Sequence, residues 1–203
     1  MRVGDVERQA EALCAVVREL GARQWCLATG GNFSLRVTDD RVLITQSGRD
    51  KTHLTPRDLM LCDLHGSALD PEQRPSAETA IHCRLYRDRP DVGAVLHTHS
   101  VTATVVSRRA EAAVPFHGYE MQKSLRGVTT HDGTVRLPVF DNDQDVDALA
   151  RRIGASSLTV PGLLVRGHGL YAWRETLTEA KRHVEGLEFL LACHLQESTL
   201  PSP

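Results

Sequence analysis

The 203-residue sequence lacks the features that mark several classes of protein. Its 24 Lys and Arg residues are fewer than its 26 Asp and Glu residues, so it has no basic excess of the kind that attracts nucleic acid or anionic lipid. Its apolar runs fall far short of the roughly 20 residues of a membrane span. The first residues, MRVGDVERQAEAL, carry charges and have no apolar signal core. We therefore predict a cytoplasmic protein that binds neither nucleic acid nor membrane.

Cysteine pairs with a recognisable spacing are also missing. The chain has five cysteines, an odd number, and no two of them form a CxxC motif. This pattern argues against a disulfide framework and against a zinc ribbon, so we predict reduced thiols. A chain of this length can bury a core without cross-links, and it contains no evident linker or internal repeat. We predict a single domain over residues 1–203.

Helical and strand patterns follow one another along the whole chain. Apolar residues at helical spacing predict helices over 4–22 and after Thr176, and Ser76 is expected to cap a helix over 76–89. Short segments rich in branched residues predict strands, and these lie at 33–37, 42–45, 59–64, 92–99, 113–116, 134–139 and on both sides of residues 167–169. The mixture predicts an α/β protein with three layers, helices on both sides of a mostly antiparallel mixed sheet.

Two histidines lie at the end of one of these predicted strands, in the segment AVLHTHS at 94–100. Residues two apart in a strand point to the same face, so the His97 and His99 rings project together. Imidazole nitrogen binds zinc at about 2.0–2.1 Å, and a catalytic zinc ion usually has three protein ligands and one open position. We expect His168 as the third ligand, because it lies between two glycines at a strand junction that can bend and be closely approached.

A simpler interpretation is that the pair consists of two polar residues on a solvated strand face, since short motifs match by chance. The apolar context of AVLHTH argues against it. Histidines at the end of a buried strand need partners for their ring nitrogens. The pattern therefore favours a metal site.

Five short segments, in order along nearly the whole chain, resemble those of the class II sugar-phosphate aldolase superfamily. They are Gly31-Asn32-Phe33-Ser34, Thr45-Gln46-Ser47-Gly48, Pro75-Ser76-Ala77-Glu78, His97-Thr98-His99 and Gly167-His168-Gly169. The resemblance implies a class II aldolase-like fold and a homotetramer with active sites near the subunit interfaces. It also implies one zinc ion per subunit, bound by His97, His99 and His168. The implied phosphate-binding residues of a sugar-phosphate substrate are Gly31, Asn32, Ser47, Gly48 and Ser76.

Within this superfamily, the segments GYEMQKSL, HDGTVRLPVFDNDQDVDALA and LLVRGHGLYAWRET are similar to the methylthioribulose-1-phosphate dehydratase branch of methionine salvage. That resemblance implies that Glu120 is the catalytic acid/base. Some members of that branch have a glycine directly after the lysine of this segment, whereas this chain has Ser124 after Lys123. Glu78 matches the glutamate that serves as acid/base in the aldolases. It is a second catalytic candidate, either as a fourth zinc ligand or as a substrate contact.

The implied reaction requires both kinds of group. Dehydration takes a proton from carbon 3 of 5-methylthioribulose 1-phosphate, forms an enediolate and expels the hydroxyl of carbon 4. A metal ion stabilises the enediolate as a Lewis acid, and a carboxyl group transfers the proton. Two alternatives stay open: an aldolase or a pentulose-phosphate 4-epimerase on the same fold, and a non-catalytic adducin-like binding module. The three histidines together with Glu120 argue against the module.

Overall fold

A computed structural model describes residues 3–200, and eight strands in this range form one sheet. The strands are β1 (Asn32–Thr38), β2 (Arg41–Thr45), β3 (Leu59–Asp63), β4 (Ala94–Thr98), β5 (Ala113–Phe116), β6 (Val135–Phe140), β7 (Gly162–Val165) and β8 (Gly169–Arg174). Their order across the sheet is β3-β2-β1-β4-β8-β7-β6-β5. The β6–β7 pair is parallel and the other neighbouring pairs are antiparallel. The sheet is therefore mixed and mostly antiparallel, as the sequence predicted.

Helices cover both faces of this sheet. They are α1 (Val3–Ala22), α2 (Thr79–Asp88), α3 (Val101–Arg109), α4 (Val146–Ala155) and α5 (Leu177–Glu197). Apolar side chains of α1, α3 and α5 form one hydrophobic cluster with one face of the sheet, and those of α2 and α4 form a second cluster with the other face. The predicted three-layer α/β/α fold is therefore confirmed. Within the described residues, no helix is both long enough and apolar enough to cross a bilayer.

The central strand β4 explains the apolar run that precedes the histidines. It lies between β1 and β8, and its side chains alternate between the two hydrophobic clusters, Ala94 and Leu96 on one face and Val95 on the other. A strand covered on both faces is apolar throughout instead of alternating with polar residues. Because His97 continues this strand, it is completely buried.

The helix starts agree with the sequence at Thr176 and differ from it at Ser76. Ser100 caps α3 and Thr176 caps α5, each accepting a hydrogen bond from a backbone N–H three residues later. The predicted cap at Ser76 is wrong, because α2 begins only at Thr79. The Ser76 hydroxyl accepts from the backbone N–H of Glu78 at 3.3 Å, and the Ser76 carbonyl accepts from that of Thr79 at 3.0 Å. These bonds close a turn ahead of the helix.

Candidate metal centre

Four side chains from three parts of the chain converge at one end of β4. The Nε2 atom of His97 lies 2.8 Å from Nε2 of His99 and 3.4 Å from Nε2 of His168. Oε1 of Glu78 lies 2.8 Å from Nε2 of His168 and 3.7 Å from Nε2 of His97. All four atoms lie within 4.8 Å of one another. The structure thus brings together the three predicted histidines and Glu78, and we call this group the histidine–glutamate cluster.

Sheet register and glycines bring these residues together. His97 pairs with Tyr171 of β8, so the β7–β8 turn that carries His168 lies beside the end of β4. Gly167 has a φ of +66°, which side chains rarely adopt. A Cβ atom at Gly169 would lie 2.0 Å from the carbonyl oxygen of Thr98. The bend and the close approach expected around His168 are therefore both present.

The orientation of the His97 ring is fixed from two sides. Its Nδ1 lies 2.9 Å from the carbonyl oxygen of Leu170, which can only accept a hydrogen bond. Nδ1 therefore carries the proton, and in the neutral ring Nε2 presents its lone pair to the cluster. The ring also stacks on Tyr171, with centroids 3.8 Å apart and planes 10° apart. A backbone carbonyl behind a ligating imidazole is the usual arrangement at metal sites.

Burial sets the charges of the cluster. It lowers the pKa of His97, and it lowers the pKa of His99 to about 3. Burial alone would raise the pKa of Glu78, but its interactions with His168 at 2.8 Å and with His97 at 3.7 Å outweigh this effect and hold that pKa well below its usual range. At neutral pH, His97 and His99 are neutral and Glu78 is an anion, which are the forms that bind metal ions.

The spacing of the cluster fits a divalent cation. Four ligand atoms in a tetrahedron around zinc, at about 2.0–2.1 Å from the ion, are roughly 3.3 Å apart. The four atom pairs given above, at 2.8, 2.8, 3.4 and 3.7 Å, bracket that value. Nitrogen and carboxylate lone pairs that face one another in a buried space need a positive charge between them. The cluster therefore has the donors and the size for one divalent metal ion.

Beside the cluster lies a cavity of about 210 Å³, which we call the glycine-turn cavity. Its lining includes all five predicted phosphate-binding residues, namely Gly31, Asn32, Ser47, Gly48 and Ser76, together with Glu78 and His99. Gly31 and Gly48 both have positive φ, at +82° and +73°. A Cβ atom at Gly31 would lie 2.6 Å from the backbone oxygen of His97. The two glycine turns thus face a cavity that opens onto the cluster.

A second cavity, of about 470 Å³, reaches the cluster from another side. Glu78 and His168 line it, and so do apolar side chains of α2 and α4, Ile81 and Leu149 among them. Ser47 and Ser76 line both cavities. Space for a bound molecule therefore extends in two directions from the cluster, toward the glycine turns and toward α4.

Glu120, the predicted acid/base, does not contact the cluster of its own chain. It begins a 3-10 helix, Glu120–Ser124, and 73% of its side chain is exposed. Its Oε1 accepts a hydrogen bond from Nζ of Lys123 at 2.7 Å, and its Oε2 lies 3.5 Å from Nδ1 of His131. The hydrogen bond from Lys123 lowers the pKa of Glu120, so the carboxylate form prevails at neutral pH. Glu120 lines an open groove of about 820 Å³ with the exposed ring of Phe189.

A buried glutamate that the sequence analysis missed lies beneath the histidine pair. Glu188 of α5 is 3% exposed and accepts hydrogen bonds from the hydroxyls of Thr98 at 2.9 Å and Ser100 at 2.6 Å. These two residues flank His99, so Glu188 fixes the backbone that carries the pair. Its position four residues after Val184, on the apolar side of α5, was the available signal. An acidic residue there requires buried partners.

Replacing Glu188 with glutamine should change how stability depends on pH. Burial raises the pKa of Glu188 from 4.5 to about 7, although the two hydroxyls act against this rise. A carboxyl group with a raised folded-state pKa favours folding while protonated, and this contribution is lost as pH rises through the folded-state pKa. Between pH 5 and pH 8, the native protein should lose about 2 kcal/mol of unfolding free energy relative to Glu188→Gln.

Urea unfolding at both pH values, with EDTA present to remove metal effects, measures this difference. Glu185→Gln is the matched control, because Glu185 lies on the same helix but at the surface, where it contacts Arg23. The unfolding free energy of Glu185→Gln should depend on pH in the same way as that of the native protein. Equal pH dependence of Glu188→Gln and the native protein would show that Glu188 is not held as a buried carboxyl group.

Comparison of the sequence with known proteins agrees with this geometry. The family model for the class II aldolase and adducin N-terminal domain matches residues 11–195. The methylthioribulose-1-phosphate dehydratase of Pectobacterium atrosepticum is 52% identical over 197 residues, which cover 95% of this chain and 96% of that protein. The family match runs from α1 into α5 and therefore includes every residue of the histidine–glutamate cluster.

Solved structures share the fold. L-Fuculose-1-phosphate aldolase from Thermus thermophilus matches with a TM-score of 0.78 and 26% identity, covering 95% of this chain and 96% of its own. YgbL from Escherichia coli matches with a TM-score of 0.81 and 23% identity, covering 97% and 93%. The extent of the family match and the identity to the dehydratase lead to one conclusion: the chain belongs to the class II aldolase and adducin N-terminal domain family.

Proposed function

We propose that this protein is a hydro-lyase that dehydrates 5-methylthioribulose 1-phosphate to 2,3-diketo-5-methylthiopentyl 1-phosphate in methionine salvage. The observation that carries the proposal is the histidine–glutamate cluster at the mouth of the glycine-turn cavity. About 50% identity to methylthioribulose-1-phosphate dehydratases, over 95% of the chain, supports this substrate over other sugar phosphates. In this proposal the protein is cytoplasmic and works as a single domain in a homotetramer.

Zinc is the metal that this donor set favours, with one ion per subunit. Three imidazole nitrogens and one carboxylate oxygen are ligands that zinc accepts in a four-coordinate site. His97, His99 and His168 would remain bound throughout. Glu78, whose carboxylate lies at the border of both cavities, would complete the set until the substrate arrives. Sites that open to substrate need one such exchangeable position.

Groups of the protein itself would bind the phosphate and transfer the proton. Backbone N–H groups at the Gly31 and Gly48 turns, with the hydroxyls of Ser47 and Ser76, would hold the phosphate, because glycine turns let the backbone approach an anion closely. When bound, the divalent cation supplies Lewis-acid stabilisation of the negative charge on oxygens 2 and 3. A carboxylate then has to take the proton from carbon 3 and return it to the departing hydroxyl of carbon 4.

We assign this proton transfer to Glu120 acting at the cluster of a neighbouring subunit. Glu120 is exposed and ionised and has no contact with the cluster of its own chain. It lies in a groove with Met121 and Phe189, whose exposed apolar surface suits an interface between subunits. Active sites near subunit interfaces would bring the carboxylate and the metal ion together. Glu78 remains the second candidate for the acid/base.

An aldolase or a pentulose-phosphate 4-epimerase is the second candidate function. The cluster and the glycine-turn cavity suit any enediolate formed from a phosphorylated ketose, so they do not select the bond that breaks. The L-fuculose-1-phosphate aldolase of similar fold is one such enzyme. A non-catalytic adducin-like module has no need for four converging metal-binding groups, and the geometry of the cluster argues against it.

Substrate assays separate these possibilities. Zinc-loaded protein supplied with methylthioribulose 1-phosphate should accumulate the diketone. Absorbance or mass spectrometry measures the amount of this product. Fuculose 1-phosphate and ribulose 5-phosphate should remain unchanged, because cleavage between carbons 3 and 4 requires a base at the hydroxyl of carbon 4, whereas the proposed carboxylate acts on the proton of carbon 3. Cleavage of fuculose phosphate or epimerisation of ribulose phosphate, without diketone formation, would replace the dehydratase proposal with the corresponding alternative.

A further inference from the structure

Lys51 is buried although lysine is among the residues least often found inside proteins. Its side chain is 2% exposed. Its Nζ atom donates hydrogen bonds to the carbonyl oxygens of Thr29 and Arg49, both at 2.8 Å. Among the described residues, no carboxylate forms an ion pair with it. An ammonium group has three N–H donors, so one donor has no hydrogen-bond partner among residues 3–200, and the two carbonyl dipoles offset the buried charge only in part.

The charge of Lys51 borders a cavity that a ligand could occupy. Lys51 lines the glycine-turn cavity, and among the described lining residues it alone carries an ammonium or guanidinium group. The five predicted phosphate-binding residues contribute hydroxyl, amide and backbone groups to the same space but no positive charge. An anion in this cavity would therefore meet one positively charged side chain of the described lining, and that side chain is Lys51.

The two carbonyls that Lys51 contacts belong to the two glycine turns. Thr29 directly precedes Gly30-Gly31, and Arg49 directly follows Ser47-Gly48. Thr29 has a φ of +64°, a left-handed conformation that is unfavourable for a branched residue. The hydrogen bond to Lys51 helps to hold its carbonyl in that position. Lys51 thus connects the two turns across the cavity they form.

We propose that Lys51 is the cationic residue that binds the phosphate of the substrate, and that it also fixes the two glycine turns on either side of that phosphate. This rests on the proposed function for the nature of the ligand. A phosphate dianion would accept the remaining N–H of Lys51 and offset a charge that is costly to bury alone. The residue would therefore select phosphorylated sugars over the same sugars without phosphate.

Titration of inorganic phosphate into zinc-loaded protein tests this without relying on turnover. Lys51→Met keeps an unbranched apolar side chain that is one heavy atom shorter, and it removes the charge. Its phosphate Kd should rise about 10- to 100-fold, because a charged hydrogen bond is lost. Lys181→Met is the matched control and should leave the Kd unchanged, since Lys181 pairs with Glu19 and Glu185 outside the cavity. An unchanged Kd in folded, zinc-loaded Lys51→Met overturns the proposal.

Steady-state kinetics and metal analysis distinguish failure of this inference from failure of the proposed function. With methylthioribulose 1-phosphate, Lys51→Met should raise KM by a larger factor than it lowers kcat, with zinc content unchanged. If the native protein binds phosphate through Lys51 but forms no diketone, the dehydratase proposal fails and the phosphate site stands. If the native protein forms diketone and Lys51→Met has native KM, the inference fails alone.

A measurement on the native chain covers the case in which Lys51→Met does not fold. The sequence contains three lysines, Lys51, Lys123 and Lys181. With lysine labelled by ¹⁵N at Nζ, the Lys51 signal is the one retained in both Lys123→Met and Lys181→Met. Added inorganic phosphate should shift this signal and slow its hydrogen exchange with water. A Lys51 signal that does not respond at saturating phosphate overturns the proposal.

Discussion

Replacing His97 with alanine should remove bound zinc and lower turnover of methylthioribulose 1-phosphate by about a thousandfold or more, because Lewis-acid stabilisation worth several kcal/mol is lost. His97 is the fully buried member of the cluster, and its Nε2 lies within 3.7 Å of the donor atoms of the other three residues. Among residues 3–200, the group of possible metal ligands at this site consists of Glu78, His97, His99 and His168, so loss of His97 removes its central member. Metal content by mass spectrometry and diketone formation measure the two effects.

His65→Ala is the control for this substitution, because His65 is exposed in a turn and should be dispensable for both metal and activity. His99→Gln gives a second variant in case the space left at His97 destabilises the fold. It should also lose zinc affinity while leaving the stacking of His97 on Tyr171 in place. A folded His97→Ala protein that retains one tightly bound zinc ion per chain would show that zinc binds at another site.

Glu120→Gln should keep its zinc and lose turnover by about 10²- to 10⁴-fold, the usual contribution of general acid–base catalysis. The amide keeps the shape of the carboxylate but cannot accept the proton of carbon 3. Glu111→Gln is a suitable control, since Glu111 is an exposed acidic residue that lines none of the cavities around the cluster. Turnover at the native rate by Glu120→Gln would transfer the acid/base role to Glu78.

Mixed oligomers test whether Glu120 acts across a subunit interface. His97→Ala and Glu120→Gln are each inactive, but a site with His97 from one subunit and Glu120 from its neighbour would be intact. Random mixing in equal amounts should therefore restore about a quarter of native activity in a cyclic oligomer. Co-refolding of the two variants, followed by the diketone assay, measures this. No recovery from a mixture that contains mixed oligomers would contradict action in trans.

Much of the fold was predictable because its signals are local. Branched apolar runs gave the strands, and the short turns between β1 and β2 and between β7 and β8 were marked by Asp39-Asp40 and by Gly167. The meeting of His97 with His99 followed from strand periodicity. The start of α2 was missed because Ser76 uses the same hydrogen bonds to close a turn that it would use to cap a helix.

The charged residues beneath the site were not predictable from local pattern. Lys51 follows a polar turn, where solvated lysines are the rule, and its burial depends on tertiary contacts such as the hydrogen bond to Thr29. Glu188 gave a weak signal on the apolar side of α5, but its partners Thr98 and Ser100 are about 90 residues away. Glu78 could be named as a candidate, yet its contact with His168 depends on the β7–β8 turn, which is distant from Glu78 in the sequence.

X-ray absorption spectroscopy of the zinc-loaded protein is the most direct test of the metal centre. We expect one zinc ion per chain, with a shell of three imidazole nitrogens and carboxylate oxygen at about 2.0–2.1 Å. The imidazole scattering should decrease in His97→Ala and His99→Gln. Zinc bound through sulfur, through fewer imidazoles, or in an amount far below one ion per chain would contradict the account.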